Sequence, residues 1–469
     1  MLEMINYVSQ DKILHSAKTR FKLMAISYFI ILCSFFSLVF FHTISVKIPA
    51  LYILTAFTMY LIILYKNSLN KYETGIFFFL FIQLLALAPK IGDLNPIVST
   101  TFLLSFRYGV SSRSFIGTIA DFLSNGSFIS KYFVWHLIFC SSIFLIFLVS
   151  VYLSSVINKS KDNNIKSFIL FLSLLCLTCF TSLSTYFTPQ NFGRSEIYAL
   201  IFMLLLIAVI NKPYLKWLIP FFALFTISIH LILVFFYIPF IFILLFYKLP
   251  EKKQYIALFI ATFLVVITSF ILYLLFHKQT FVFSNASAFA EYLKTKTNLV
   301  YTEDFIHMTF FADLQDHLLR WQDKRAEGFL QFSGSISILI NFPLILMFAY
   351  FWIKCFLHEK QQYMKLFFIL PVLLFLYHVP VFFMFYDFGR WMVMIIQIQF
   401  MLILYLIYTG NKTVLTVTAN MVPAINKNWY IIIVICSLMF FLGPVLTIGP
   451  SERVSNIIKG CLELFKIAL

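Results

Sequence analysis

Charge is what this chain has least of. Asp, Glu, Lys and Arg together make up only 12% of its residues, while 61% are hydrophobic, and no soluble domain of this size needs so much apolar surface. The seven Cys are scattered, mostly inside apolar runs, with no ladder of spacings in any loop. Cys176 and Cys179 form a C-x-x-C, but within an apolar run that pattern reads as packing. No metal-ligand spacing, nucleotide-binding glycine loop or nucleophile elbow is present, so neither metal nor cofactor is expected. A cleavable signal pattern is missing from Met1–Lys22, and the first apolar run is expected to remain as an anchor. Repeats in the solenoid range are also missing, and residues 1–469 are expected to form a single multi-span domain.

Long apolar runs are what the chain has instead, with 61 Phe among them. Runs long enough to cross a bilayer lie near 23–44, 48–65, 75–89, 132–157, 167–187, 195–211, 256–277, 335–357, 366–385, 391–408 and 429–448. The run 213–247 is too long for one ordinary span and contains Pro220 and Pro239, so it is expected to form two short helices meeting near His230. Residues 95–106 could add a partial helix. The expected fold class is an all-α polytopic integral membrane protein with about 12–14 transmembrane helices and one large extracytoplasmic loop.

The net charge of +16 does not point to nucleic acid, because most of the excess is Lys in short loops between apolar runs. Such Lys orients the chain and meets anionic membrane lipid. Lys12, Lys66, Lys159, Lys212, Lys248, Lys354 and Lys412, with their Lys neighbours, fall in alternate loops, which places those loops and the N-terminus in the cytoplasm. Two segments then remain outside, 90–131 and 278–334, and the second carries Glu291, Glu303, Asp304, Asp313, Asp316, Asp323 and Glu327. Its stretch from Asp313 to Trp321 has helical spacing that sets Asp313, Asp316, His317 and Arg320 on one face. A loop of that length is either functional or a solvated lid. Residues 451–469 read as an amphipathic C-terminal segment.

On this topology Arg107, Arg113, Arg194, Arg320, Arg325, Arg390 and Arg453 all lie on the outer side, against the usual bias, and only Arg20 lies inside. Guanidinium suits phosphate and carboxylate because it binds them in a bidentate way. Phe-Gly-Arg occurs twice, as Phe192-Gly193-Arg194 and Phe388-Gly389-Arg390, each ahead of an apolar run. The glycines allow a tight bend and close approach to a ligand, and a helix N-terminus adds its own positive end. Two equivalent helix mouths facing one site would hold an anion. The alternatives for these arginines are contact with lipid headgroups or pairing with Glu196 and Asp387. His230, in an apolar setting, is either a functional group or a helix–helix hydrogen bond to a residue such as Ser228 or Tyr237.

The segment Phe106-Arg-Tyr-Gly-Val110 resembles the Arg-Tyr-x-Val-Gly-x-Asp signature of the EpsG and Wzy-like polysaccharide polymerases. So does the order that follows: Arg194 opening a helix, a Lys-containing turn, His230 in an apolar run, and a late Arg390 at the start of a span. The similarity covers about residues 100–245, and loosely 380–410. The acid of that signature is absent here, with Ser111, Ser112 and Arg113 in its place, which leaves any acidic role to Asp121 or to the 278–334 loop.

The resemblance implies a glycosyltransferase of the bacterial inner membrane. It would join oligosaccharide repeat units carried on polyprenyl diphosphate, with that lipid-linked oligosaccharide and membrane lipids as partners and a chain-length regulator as a further candidate. Arg194, Arg390 and Arg107 would stabilise the departing diphosphate. His230, Asp387 or an acid of the large loop would act as base, and Tyr108, Asp316, His317 and Arg320 would help bind the substrate. Rival readings are a polyprenyl-linked-sugar glycosyltransferase, an O-antigen ligase and a lipid-linked oligosaccharide flippase. The first usually carries an acid in its first outer loop, and His42–Lys47 has none. The flippase would call for repeats and for charges within spans, neither of which is evident.

Overall fold

The computed structural model describes residues 71–90, 93–111, 113–178, 183–276, 280–312, 332–384 and 388–428, with 315, 316, 319, 322 and 430 as single positions. The described residues are helical throughout, apart from short loops and one isolated bridge between Ile129 and Thr297. Among the described residues six helices are long and apolar enough to cross a membrane, and five shorter apolar helices accompany them, consistent with a polytopic membrane protein. The expected spans 23–44, 48–65 and 429–448 and the segment 451–469 lie outside the described residues.

In chain order the α-helices are α1 (Lys71–Leu87), α2 (Pro96–Leu103), α3 (Ser114–Leu123), α4 (Lys131–Lys159), α5 (Asn163–Thr178), α6 (Ser195–Val209), α7 (Ile219–Ile229), α8 (Tyr237–Lys248), α9 (Lys253–Phe276), α10 (Ala286–Lys296), α11 (Glu303–Phe310), α12 (Phe332–His358), α13 (Gln362–Met384), α14 (Phe388–Thr409) and α15 (Lys412–Lys427). Their starts follow local chemistry. Asn95, Ser130 and Asn411 each accept a backbone N–H of the helix they precede, opening α2, α4 and α15. Pro220 and Pro239 fall in the first turns of α7 and α8, where a missing N–H leaves no carbonyl unpaired. They begin helices rather than interrupt one.

The expected break at His230 is present. α7 ends there, Leu231–Phe235 forms a single 3₁₀ turn, and α8 follows. Within the expected span 167–187, α5 is described as far as Thr178 and Leu183–Phe187 is a 3₁₀ turn instead of α-helix, with 179–182 outside the described residues. Residues 412–427, read from the sequence as part of a Lys-bearing loop, form the amphipathic α15, which packs on α5 and α12.

α14 is the hub of the bundle. Nearly all its residues from Trp391 to Ile407 are buried, and it packs against α4, α5, α8, α12, α13, α15 and the Leu183–Phe187 turn. Its two central amides are both used. Gln397 donates to the Cys176 carbonyl at 3.2 Å, and Gln399 donates to the Pro371 carbonyl at 3.1 Å while accepting from the Trp352 indole at 2.6 Å. Side-chain amides bonded on both sides fix a helix in rotation and height, since any slip would leave buried polar atoms unpaired. α9 is the opposite case, apolar nearly all round and largely exposed from Ile256 to Phe276, as a lipid-facing helix should be.

The segment 280–312 docks on the segment between α2 and α4. Main-chain N–H groups of Val282 and Ile129 donate to the carbonyls of Tyr108 and Lys296, at 2.9 and 2.8 Å. Side-chain bonds from Val110 N–H to Thr280 and from Lys131 N–H to Asn298 add to this. An aromatic cluster fills the joint, with the Tyr108 ring 5.1 Å from Phe289, 5.7 Å from Tyr292 and 6.0 Å from Phe283.

Candidate functional site

Arg390 and Glu196 form a buried ion pair between two helix starts. Arg390 lies in the first turn of α14 and Glu196 in the first turn of α6. The Arg390 Nε donates to Glu196 Oε1 at 3.0 Å, and Nη2 donates to the same oxygen. The second carboxylate oxygen accepts from the Ser195 hydroxyl at 3.3 Å. Arg390 is 2% exposed and Glu196 fully buried, and a buried charge survives only when paired and hydrogen-bonded.

A stacked column carries the arginine. Phe236 lies between His378, at 4.7 Å, and Trp391, at 5.3 Å, and the Arg390 guanidinium sits 5.0 Å from the Trp391 ring. His378 donates to the Phe235 carbonyl at 2.9 Å. The column therefore joins α13, the turn before α8, and α14. Tyr237, at the start of α8, comes with it. Its hydroxyl and that of Tyr186 are buried near one another and near the ion pair, with no hydrogen bond of good geometry to the protein.

His230 faces the same region. Arg113, Arg390 and Arg194 all act electrostatically on its imidazole, and Arg390 and Arg194 both act on Glu196. Among the described residues, the site thus gathers three guanidiniums against one carboxylate, a surplus of positive charge suited to an anion. The ring of His230 has a further constraint. Its Nδ1 accepts the Ile232 N–H at 3.2 Å and so caps the 3₁₀ turn. With Nδ1 accepting, the neutral ring carries its proton on Nε2. Ser228 donates its hydroxyl to the Leu224 carbonyl at 2.9 Å, and no hydrogen bond joins it to His230.

Arg113 is brought in by α3. The helix packs on α2 and α7, with Phe115 stacked 5.2 Å from Phe225, and Arg113 is the residue just before its first turn. The half-buried guanidinium lies 4.5 Å from the Phe305 ring of α11. Arg194 immediately precedes α6, whose N-terminus has no side-chain cap, and its Nε donates to the Gln190 carbonyl at 3.4 Å. An uncapped helix start beside Arg is a favourable place for an anionic oxygen.

The two Phe-Gly-Arg segments do not form equivalent mouths. Gly193 has φ +92° in the turn ahead of α6, a conformation that L side chains rarely adopt. A Cβ there would meet Ile138 at 2.4 Å and Val98 at 2.9 Å, so the glycine serves close packing against α2 and α4. Phe388, Gly389 and Arg390 are already helical. Arg194 thus stands before its helix and Arg390 within one.

Of the other residues singled out by sequence, Arg107 is exposed and turned over the 121–126 turn. Its Nη1 is 2.7 Å from where a Cβ on Gly126 would sit. Tyr108 belongs to the aromatic joint described above. Burial, followed by its neighbour Tyr292, pushes its phenol well above the ordinary range, so the hydroxyl stays neutral. Asp316 is half-buried in a helical stretch after α11. Asp387, His317 and Arg320 lie outside the described residues. Glu196, Tyr186 and Arg113 received no role at the site from sequence reasoning. The adjacency of Glu196 to Arg194, and the position of Arg113 directly before an amphipathic run, were the available signals.

No family model, curated protein or solved structure matches this chain. Among the described residues no group of His, Cys, Asp and Glu could hold a metal ion.

Proposed function

We propose that the protein is a metal-independent glycosyltransferase that polymerises polyprenyl-diphosphate-linked oligosaccharide units at the outer face of a bacterial inner membrane. The observation that supports this most is the convergence of Arg113, Arg194 and Arg390 on His230, beside one buried carboxylate. In the proposed reaction a sugar hydroxyl of one lipid-linked unit attacks the anomeric carbon of another. The carbon–oxygen bond to the diphosphate breaks, and its electron pair leaves with the polyprenyl diphosphate. Arg194, Arg113 and the start of α6 take up the growing negative charge, as preorganised donors do for a developing anion. His230 offers Nε2–H to the same oxygens. Arg107 and Tyr108 act further out, through the docked 280–312 segment.

Purified protein in proteoliposomes, supplied with the lipid-linked unit extracted from a strain lacking it, should lengthen that unit into a ladder of polymer. Absence of any ladder overturns the reading. The topology is checked separately by a reporter fused after Lys296, which should be active only outside the cytoplasm.

A second reading draws on the ion pair itself. A buried Glu–Arg pair between helix starts is also a device by which a flippase exchanges partners for an anionic headgroup. That reading requires protein-dependent transfer of the intact lipid-linked unit between leaflets, with no new glycosidic bond.

A further inference from the structure

Glu196 is the only carboxylate among the described residues that is buried. Oε1 receives two N–H groups of Arg390, Oε2 receives the Ser195 hydroxyl at 3.3 Å, and the main-chain N–H of Glu196 also faces the carboxylate. Beside it lie the hydroxyls of Tyr186 and Tyr237, at most 1% exposed as residues, which interact with one another and make no hydrogen bond of good geometry to the rest of the protein. Buried polar groups are normally satisfied. Two buried phenols that have only each other nearby, next to a buried carboxylate, are matched by a ligand rich in hydroxyls.

Several other described groups that might remove a proton are committed elsewhere, while the Nδ1 of His378, in the same aromatic column, is buried without a partner and is the rival base. The acceptor nitrogen of His230 is engaged by Ile232. Glu303 accepts from Ser287, Glu291 pairs with Lys294 at 2.5 Å, and both are exposed. Asp121 accepts from Ser105 at 3.3 Å beneath Arg107.

Building on the glycosyl-transfer reading, we propose that Glu196 is the proton acceptor for the attacking sugar hydroxyl, with Tyr186 and Tyr237 binding that sugar. Arg390 keeps the carboxylate ionised and aimed until substrate arrives. The incoming diphosphate competes for the same guanidiniums and frees the carboxylate for the hydroxyl. The acceptor oxygen then bonds to the anomeric carbon as the carbon–oxygen bond to the diphosphate breaks. The hydroxyl proton passes to Glu196 and is released to water when the ion pair re-forms.

The test uses the full-length protein in proteoliposomes with the extracted lipid-linked unit. Glu196→Gln keeps the shape of the side chain and can still accept from Arg390, but it cannot take a proton. It should lower polymer formation by about 10²–10⁴-fold. Sodium azide, which attacks without giving up a proton, should restore polyprenyl diphosphate release from this variant and yield a glycosyl azide. A Gln variant as active as the parent, or one that stays inactive with azide, overturns the assignment while leaving glycosyl transfer intact. An inactive parent protein overturns glycosyl transfer itself, and this inference with it. If the Gln variant does not fold, Glu196→Asp decides: a shifted acid limb of its pH–rate profile supports the role, and an unmoved limb overturns it.

Discussion

Arg390 closes on Glu196 across 194 residues of chain, and in doing so it ties the second Phe-Gly-Arg segment to the helix opened by the first. The pair holds the starts of α6 and α14 together in a setting with no solvent to share the charge. Breaking a buried pair by removing one partner costs about 3–5 kcal/mol, while replacing both by apolar residues is often neutral. Arg390→Met and Glu196→Leu should each lower the thermal unfolding temperature in detergent sharply, and the double variant should recover most of the loss. An additive double variant would show that the two side chains do not stabilise one another.

Arg194 and Arg113 should behave differently from Arg390, because neither is in the buried pair. Arg194→Lys keeps the charge but loses the planar fork. Polymer formation should fall by about 10²–10³-fold, the usual consequence of losing one donor to a developing anion, with little change in unfolding temperature. Arg113→Ala should fall comparably. Arg107→Lys should retain most activity. Full activity in the Arg194→Lys variant would remove the bidentate role.

His230 should act through Nε2 as a donor. Glutamine places an N–H near that position, whereas asparagine supplies only the acceptor near Nδ1. His230→Gln should therefore be more active than His230→Asn or His230→Ala. Its rate profile between about pH 6 and 8 should match the parent, since a donor that stays neutral contributes no limb there. A lost limb in the Gln variant would make His230 the titrating group.

Gly193→Ala tests the packing of the turn before α6. The positive φ and the approach of Ile138 leave no room for a Cβ. The substitution should lower thermal stability and activity together, and Ile138→Ala in the same chain should relieve part of both. No relief from the second change would mean that strain in the backbone, rather than the clash, sets the cost.

Glu359 provides a pH-dependent test away from the site. Burial works against its charge, but N–H groups of Gln361 and Lys360, at 3.0 and 2.8 Å, and the Thr413 hydroxyl, at 2.6 Å, hold the carboxyl below its usual range. A depressed carboxyl stabilises the fold above its unfolded value, about 4.3, and that contribution is lost as pH falls through the folded value. Glu359→Gln should unfold at a lower temperature than the parent at pH 7, and the gap should close below about pH 4. A gap that persists in acid would assign the loss to geometry instead of charge.

Much of the fold was legible because apolar runs and Lys-bearing loops repeat over long stretches. The break at His230 followed from run length and two prolines, and α2 lies within the partial helix expected over 95–106. The 3₁₀ turn Leu183–Phe187 was not legible from the overall apolar character of its run, although Ser184 and Thr185 fall within that turn. The site was half legible. Arg194, Arg390 and His230 stand out as polar groups in apolar surroundings, and they do converge. The ion pair was weighed only as an alternative fate for the arginines, because Glu196 has a nearer arginine in sequence. The partner it takes is fixed by how α14 threads the bundle. Arg113 was hidden for the same reason, its approach depending on α3 crossing α7.

The hub position of α14 bears on how the protein is made. The helix packs against α4, α5, α8, α12, α13 and α15, yet it follows all of these but α15 in the chain. During synthesis those earlier helices enter the bilayer before their common contact surface exists. Until residue 390 emerges, Glu196 is a carboxylate among apolar helices without its counter-ion, in a place where lone charges are costly. Assembly therefore waits on one late helix, whose arrival supplies both the packing surface and the missing positive charge.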